Sequence, residues 1–156
     1  MNLLKANIKL FLFAVTKVPL ILFCKPKIKV LNKDSCHVEI PLNYFTKNHV
    51  SSMYFGTLLI GVDLCCGLLA MHLIEKSNKK VSIIFKNVSA NFIKRAENKV
   101  RFECNQGKEI QDVIKNTIET KERVNKTIYV NAFDIITNEC VVNYEIGLSL
   151  KHKIKK

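Results

Sequence analysis

Between Ser51 and Ile74 the chain runs through 24 residues, SSMYFGTLLIGVDLCCGLLAMHLI, that carry one charged side chain, Asp63. A lone acid in so apolar a setting costs several kcal/mol unless something compensates it. The compensation is either a buried donor or a reacting group. A carboxylate beside a ligand serves as general base or nucleophile, and burial makes it a better base by raising its pKa. Seven residues turn a helix by about 700°, so Gly56 and Asp63 share one face, two turns apart. Gly67 and Ala70 continue that face. A line of small residues lets another backbone or a ligand come close.

These groups need elements to hold them. Ser51 or Ser52 is placed to cap the first turn of the apolar helix, and EKSNKK (75–80) ends it. Upstream, SCHVEIP alternates, with Cys36, Val38 and Ile40 on one face and His37 and Glu39 on the other, which predicts a strand. Downstream, 81–93 and 100–104 read as strands, and 108–120 as a helix with Ile110, Val113, Ile114, Thr117 and Ile118 in its stripe. Residues 126–136 and 140–150 return to period two, joined by a hairpin turn at 137–139. The expected class is α+β, an antiparallel sheet wrapped around one long apolar helix. Residues 53–71 are long enough to span a bilayer. A span would put Asp63 near the midplane and strip every strand face of its packing partner, so a buried core helix is expected instead.

Residues 1–24 begin with an amphipathic helix, Leu4, Ile8, Phe11, Leu12 and Val15 forming its stripe. Lys5, Lys9 and Lys17 interrupt the apolar run and Pro19 divides it, unlike a signal peptide. The stripe is expected to pack on the domain at 25–150, with a membrane surface as the alternative. Residues 151–156 are expected to form a frayed basic tail.

Lys and Arg outnumber Asp and Glu by 25 to 13, a net charge of +12. The excess favours an anionic partner, or records only a lysine-rich composition. Six cysteines occur without a C-x-x-C or a histidine at ligand spacing, so no metal site is expected. They read as small buried hydrophobes in a reducing, cytoplasmic setting. No basic recognition helix or Gly-Phe-rich strand is present, so nucleic acid is not an expected partner.

The stretch NHVSSMYFGTLLIGVD, Asn48 to Asp63, resembles the segment that opens the central helix of hotdog-fold thioesterases of the phenylacetate-degradation (PaaI-like) type. Those proteins carry an Asn, a short link, a His-Gly-Gly, and an acid seven residues beyond the last Gly. Asn48, Gly56 and Asp63 match without a gap, while Tyr54 stands in place of the His and Phe55 in place of the first Gly. A related, largely uncharacterised hotdog-domain family is more similar still. It has an N-terminal helix, an Asn-His pair, an aromatic-Gly helix start and a helix inserted before the last two strands. The resemblance spans roughly residues 25 to 150.

That resemblance implies a hotdog domain that hydrolyses an acyl thioester of coenzyme A or of acyl-carrier protein, with no cofactor beyond the coenzyme A ester itself. The N–H at or next to Gly56 would hold the oxyanion, because a helix N-terminus offers free N–H groups and partial positive charge. Asp63 would be general base or nucleophile. Asn48 would orient water or the carbonyl, or else simply shape the turn. His49, Tyr54, Phe55 and Gly67 would contact substrate, and Lys94 and Arg95 would hold coenzyme A phosphates. Gly56 and Asp63 lie about 10 Å apart along one helix. The family's solution is a homodimer, in which Asp63 faces the other subunit's Gly56; tetramers stay open. A non-catalytic acyl-thioester or lipid binder on the same fold is the rival reading, because Tyr54 and Phe55 depart from the motif.

Overall fold

The computed structural model describes residues 2–153. Its elements are α1 (Leu3–Thr16), α2 (Leu20–Cys24), β1 (Lys27–Leu31), β2 (Cys36–Ile40), α3 (Phe55–Ser77), β3 (Val81–Phe92), β4 (Val100–Cys104), α4 (Gly107–Thr120), β5 (Arg123–Asp134) and β6 (Cys140–His152). One six-stranded sheet runs β1-β2-β4-β5-β6-β3, antiparallel throughout. It is the hotdog arrangement.

Strand alternation decides what faces inward. Val38, Phe102, Ala132 and Val142 are successive register partners across β2, β4, β5 and β6, and all are fully buried. The long helix α3 packs against this sheet. A Cβ on Gly61 would stand 2.1 Å from the Phe102 ring, so glycine is required for that approach. By length and composition α3 could cross a membrane, yet 67 % of its most apolar window is buried inside the fold. Five of the six free cysteines are buried, as small hydrophobes should be. Cys65 Sγ donates to the carbonyl of Cys36 at 3.0 Å. In α4 the expected stripe does turn inward: Ile110, Val113, Ile114 and Thr117 are buried.

Several expectations change. No serine caps α3: Tyr54 is the N-cap, without a side-chain hydrogen bond, while Ser52 is buried and bonded to Asn48. Strand β1 and the short α2 are additions to the expected order. Strand β6 runs on through Lys151 and His152, which pair with Ser82 and Val81, so the tail is not frayed there. Residues 154–156 lie outside the described residues.

The largest correction concerns α1. Its inward face is Ala6, Leu10 and Ala14, and the long apolar stripe from Leu4 to Val15 faces outward. The cause is Asn7. Its amide donates to the Ile28 carbonyl at 3.0 Å and its carbonyl accepts from the Ile28 N–H at 2.9 Å. That pair of hydrogen bonds to β1 fixes the rotation of the helix, and two alanines let it lie close. The same side chain occupies backbone groups on the outer edge of β1. At the other edge β3, twelve residues long, pairs among the described residues only with β6, which leaves its outer side unpaired by them.

Candidate active site

From Thr57 to Ala70, Asp63 is the one exposed residue. Among the described residues its carboxylate has no hydrogen bond and no ion pair. The acid is therefore not sealed in the core, as the sequence suggested, but opens on one side. Protein on its other sides still withholds water, and this desolvation raises its pKa.

Two hollows meet at Asp63. The first, of about 200 Å³, lies between α1, α3 and β3, and is lined by Leu10, Phe13, Leu64, Gly67, Met71 and Phe85 among others. It is apolar apart from Asp63 and a polar far side. There His72 is buried with its Nε2 unpartnered, and the Lys9–Glu75 pair closes at 3.3 Å. Desolvation first, then nearby Lys76, lowers the His72 pKa. The second hollow runs from Leu59, Val62 and Asp63 to residues 85–88 of β3. Register slips there: Phe85 pairs with Leu148 but Val88 pairs with Ile146. Such bulges re-aim strands beside functional sites. Gly147 permits this one, since a Cβ there would stand 2.3 Å from the Asn87 side chain.

The start of α3 forms a second centre. Its first helical bond runs from the Leu58 N–H to the Tyr54 carbonyl. The N–H groups of Phe55, Gly56 and Thr57 precede that bond, and no side chain caps them. Backbone bonds from Tyr54 to Thr46 and from Met53 to Ala96 hold this entrance. The Tyr54 ring lies against Gly56, where a Cβ would come within 2.6 Å of it. Beside the entrance a cleft brings together Asn48, Phe55, Lys94 and Arg95.

The other expected site residues are divided between the entrance loop, the cleft and the first hollow. Asn48 holds the loop: its carbonyl accepts from the Val50 and Ser52 N–H groups, and its amide donates to Ser52 Oγ at 3.1 Å. His49 is exposed on that loop. Lys94 is paired with Glu139, whereas Arg95 is exposed and in no ion pair among the described residues. Gly67 lines the first hollow, where a Cβ would stand 3.7 Å from the Phe85 ring, an ordinary van der Waals distance. Within one chain, therefore, Asp63 with Gly67 and Asn48 with Phe55, Lys94 and Arg95 form separate groups.

Two residues escaped the sequence reading. His72 lies in the apolar segment itself. Tyr144 falls on the inward face of β6 and is fully buried with its hydroxyl unpartnered, which raises its pKa strongly through desolvation. Its ring stands 6.5 Å from that of Phe92, which in turn stands 5.6 Å from Phe55. A tyrosine on an inward strand face was the available signal, since its hydroxyl needs a partner.

Known structures share this architecture. A Chlorobaculum tepidum protein of unknown function superposes with a TM-score of 0.82 at 13% identity, over 97% of each chain. A Pseudomonas aeruginosa protein described as a probable thioesterase gives 0.72 at 18% identity, over 90% of this chain and 92% of its own. A Haemophilus influenzae thioesterase gives 0.69 at 9% identity, over 99% and 94%. No curated protein matches the sequence. Residues 8–149 match the model of a domain of unknown function, DUF4442, and the chain belongs to that family.

Proposed function

We propose that this protein hydrolyses acyl thioesters as a dimer joined along β3. One observation carries the reading: the single exposed residue in the middle of α3 is a carboxylate, without a partner among the described residues, at the junction of an apolar hollow and a sheet edge that none of them pairs. Bringing a second β3 to that edge would put another protomer beside Asp63. The α3 N-terminus of that protomer, with its uncapped N–H groups, would then supply the oxyanion site that 10 Å of helix denies within one chain.

In this scheme the Asp63 carboxylate takes a proton from water as the water oxygen adds to the thioester carbonyl carbon. Negative charge moves to the carbonyl oxygen and is held by N–H groups around the other protomer's Gly56. Collapse of the tetrahedral species breaks the carbon–sulfur bond. The leaving thiolate takes the proton back from Asp63, giving a free acid and a thiol. The apolar hollow would hold the acyl chain. Arg95, the unpaired cation at the entrance cleft, is the better of the two basic residues for a coenzyme A phosphate, because Lys94 already has Glu139. A raised carboxylate pKa suits the base role.

A non-catalytic acyl-thioester binder is supported by the Tyr54 ring lying over Gly56, the surface a carbonyl would have to approach. Turnover separates the two. Wild type and Asp63→Asn are assayed against acyl-coenzyme A esters of graded chain length. Hydrolysis that falls by about 10²-fold or more in the variant supports the enzyme. Binding of these esters by wild type without turnover of any of them supports the binder.

A further inference from the structure

We infer that the outer face of α1 and α2 docks on an anionic lipid surface. Leu4, Ile8, Phe11, Leu12 and Val15 of α1 are 46–68% exposed, and on α2 Leu20 and Phe23 are 60% and 50% exposed. Exposure of this kind is not scattered: the α1 residues fall on one arc of the helix, opposite the Ala6-Leu10-Ala14 face that packs on the fold. Exposed apolar side chains gathered on one face in this way mark an interaction site. Phe23 extends the patch to Phe45, ring to ring at 5.3 Å, and Phe45 to the highly exposed Tyr44.

Charge selects the occupant. Every charged residue from 2 to 33 is a lysine, and the first acid is Asp34. On the helix wheel Lys5 borders the apolar arc next to Leu12, and Lys17 and Lys25 follow at the ends of α1 and α2. None of these three has an ion-pair partner among the described residues. An apolar face with an unpaired lysine on its border and two more at the helix ends, lying on the surface of a fold and not threading through it, is the pattern of a helix seated in the headgroup layer of an anionic membrane. A second copy of the same face would bring lysine against lysine. The rotation of α1 is already fixed by Asn7, so docking needs no rearrangement. Because Leu10 and Phe13 of the same helix line the apolar hollow, the docked face and that hollow share one wall.

The test is co-sedimentation of the full chain with vesicles, with no turnover in the readout, so it stands or falls apart from the hydrolase reading. Vesicles of phosphatidylcholine alone are compared with vesicles containing about one third phosphatidylglycerol. Binding to the anionic vesicles about tenfold tighter, weakened by salt, is expected. Leu4→Gln/Phe11→Gln/Leu12→Gln and Lys5→Glu/Lys17→Glu/Lys25→Glu should each lower it by about tenfold while leaving the melting temperature near wild type, because all six side chains are exposed. Three results would overturn the inference: no binding to anionic vesicles, binding that the glutamine variant leaves intact, or a change in oligomeric mass in that variant, which would make the face a protein interface.

Discussion

Asp63 is bound by two opposing demands. A carboxylate partly withheld from water by the protein around it is harder to ionise than one in water, and that is a cost to the folded state at neutral pH. The direction follows from its raised pKa. Below the ordinary carboxylate range both folded and unfolded chains hold the proton, and Asp63 costs nothing. As pH rises, the unfolded chain ionises first and gains stability relative to the fold, until the folded pKa is passed. Asp63→Asn should therefore melt with wild type near pH 3.5 and above it at pH 7. Thermal unfolding at the two pH values checks this. An acid kept to hold the fold together would give the reverse order at pH 7, whereas one kept for chemistry trades stability for activity. The sequence made this residue visible because it stands alone among apolar neighbours. It did not reveal that the side chain opens outward, since that depends on β3, whose bulge at 85–88 has no local signal. A glycine inside a helix lowers its propensity; the reason for Gly61 is the Phe102 ring, a contact across the fold that spacing cannot supply.

At the scale of elements, the two sheet edges differ in how they are finished. An unpaired edge is a template for another strand unless it is covered or charged. On β1 the Asn7 side chain takes both backbone groups of Ile28. Among the described residues strand β3 has no such cover, and Ile84 and Val88 are 49% and 45% exposed along it. The proposed dimer would place a second β3 there. Ile84→Lys/Val88→Lys should convert the protein from dimer to monomer in sedimentation velocity at micromolar concentration and abolish hydrolysis with it. A wild type that sediments as an active monomer would remove the basis of the scheme. Long period-two runs such as 140–150 were legible as strands because half their positions must be apolar. Strand β1 was not, because five residues alternating with lysine between two turns carry too short a pattern. The stripe of α1 was read correctly as a stripe and assigned to the wrong side. Alanines contribute little hydrophobicity, so the face that packs is the less apolar of the two.

For the whole molecule, the question is whether one chain or two make a site. Asp63 and the uncapped start of α3 sit two turns apart on a straight helix, with the hollow at one and the basic cleft at the other. Subunit mixing distinguishes the cases by symmetry. Asp63→Asn keeps a good α3 N-terminus and lacks the base. Gly56→Val keeps the base and crowds the approach to the N–H groups, its Cβ displacing the Tyr54 ring. Each variant alone should be inactive. If each site draws Asp63 from one protomer and Gly56 from the other, a heterodimer of the two variants contains one site with both groups intact and one with neither. Equal mixing after reversible dissociation makes half the dimers heterodimers, so activity should return to about a quarter of wild type. If both groups acted from the same chain, every site in the mixture would lack one of them and nothing would return. The mixed sample, scored against its two inactive parents, thus measures whether the distance along α3 is bridged by a second protomer, which is the geometric condition the proposed hydrolysis sets.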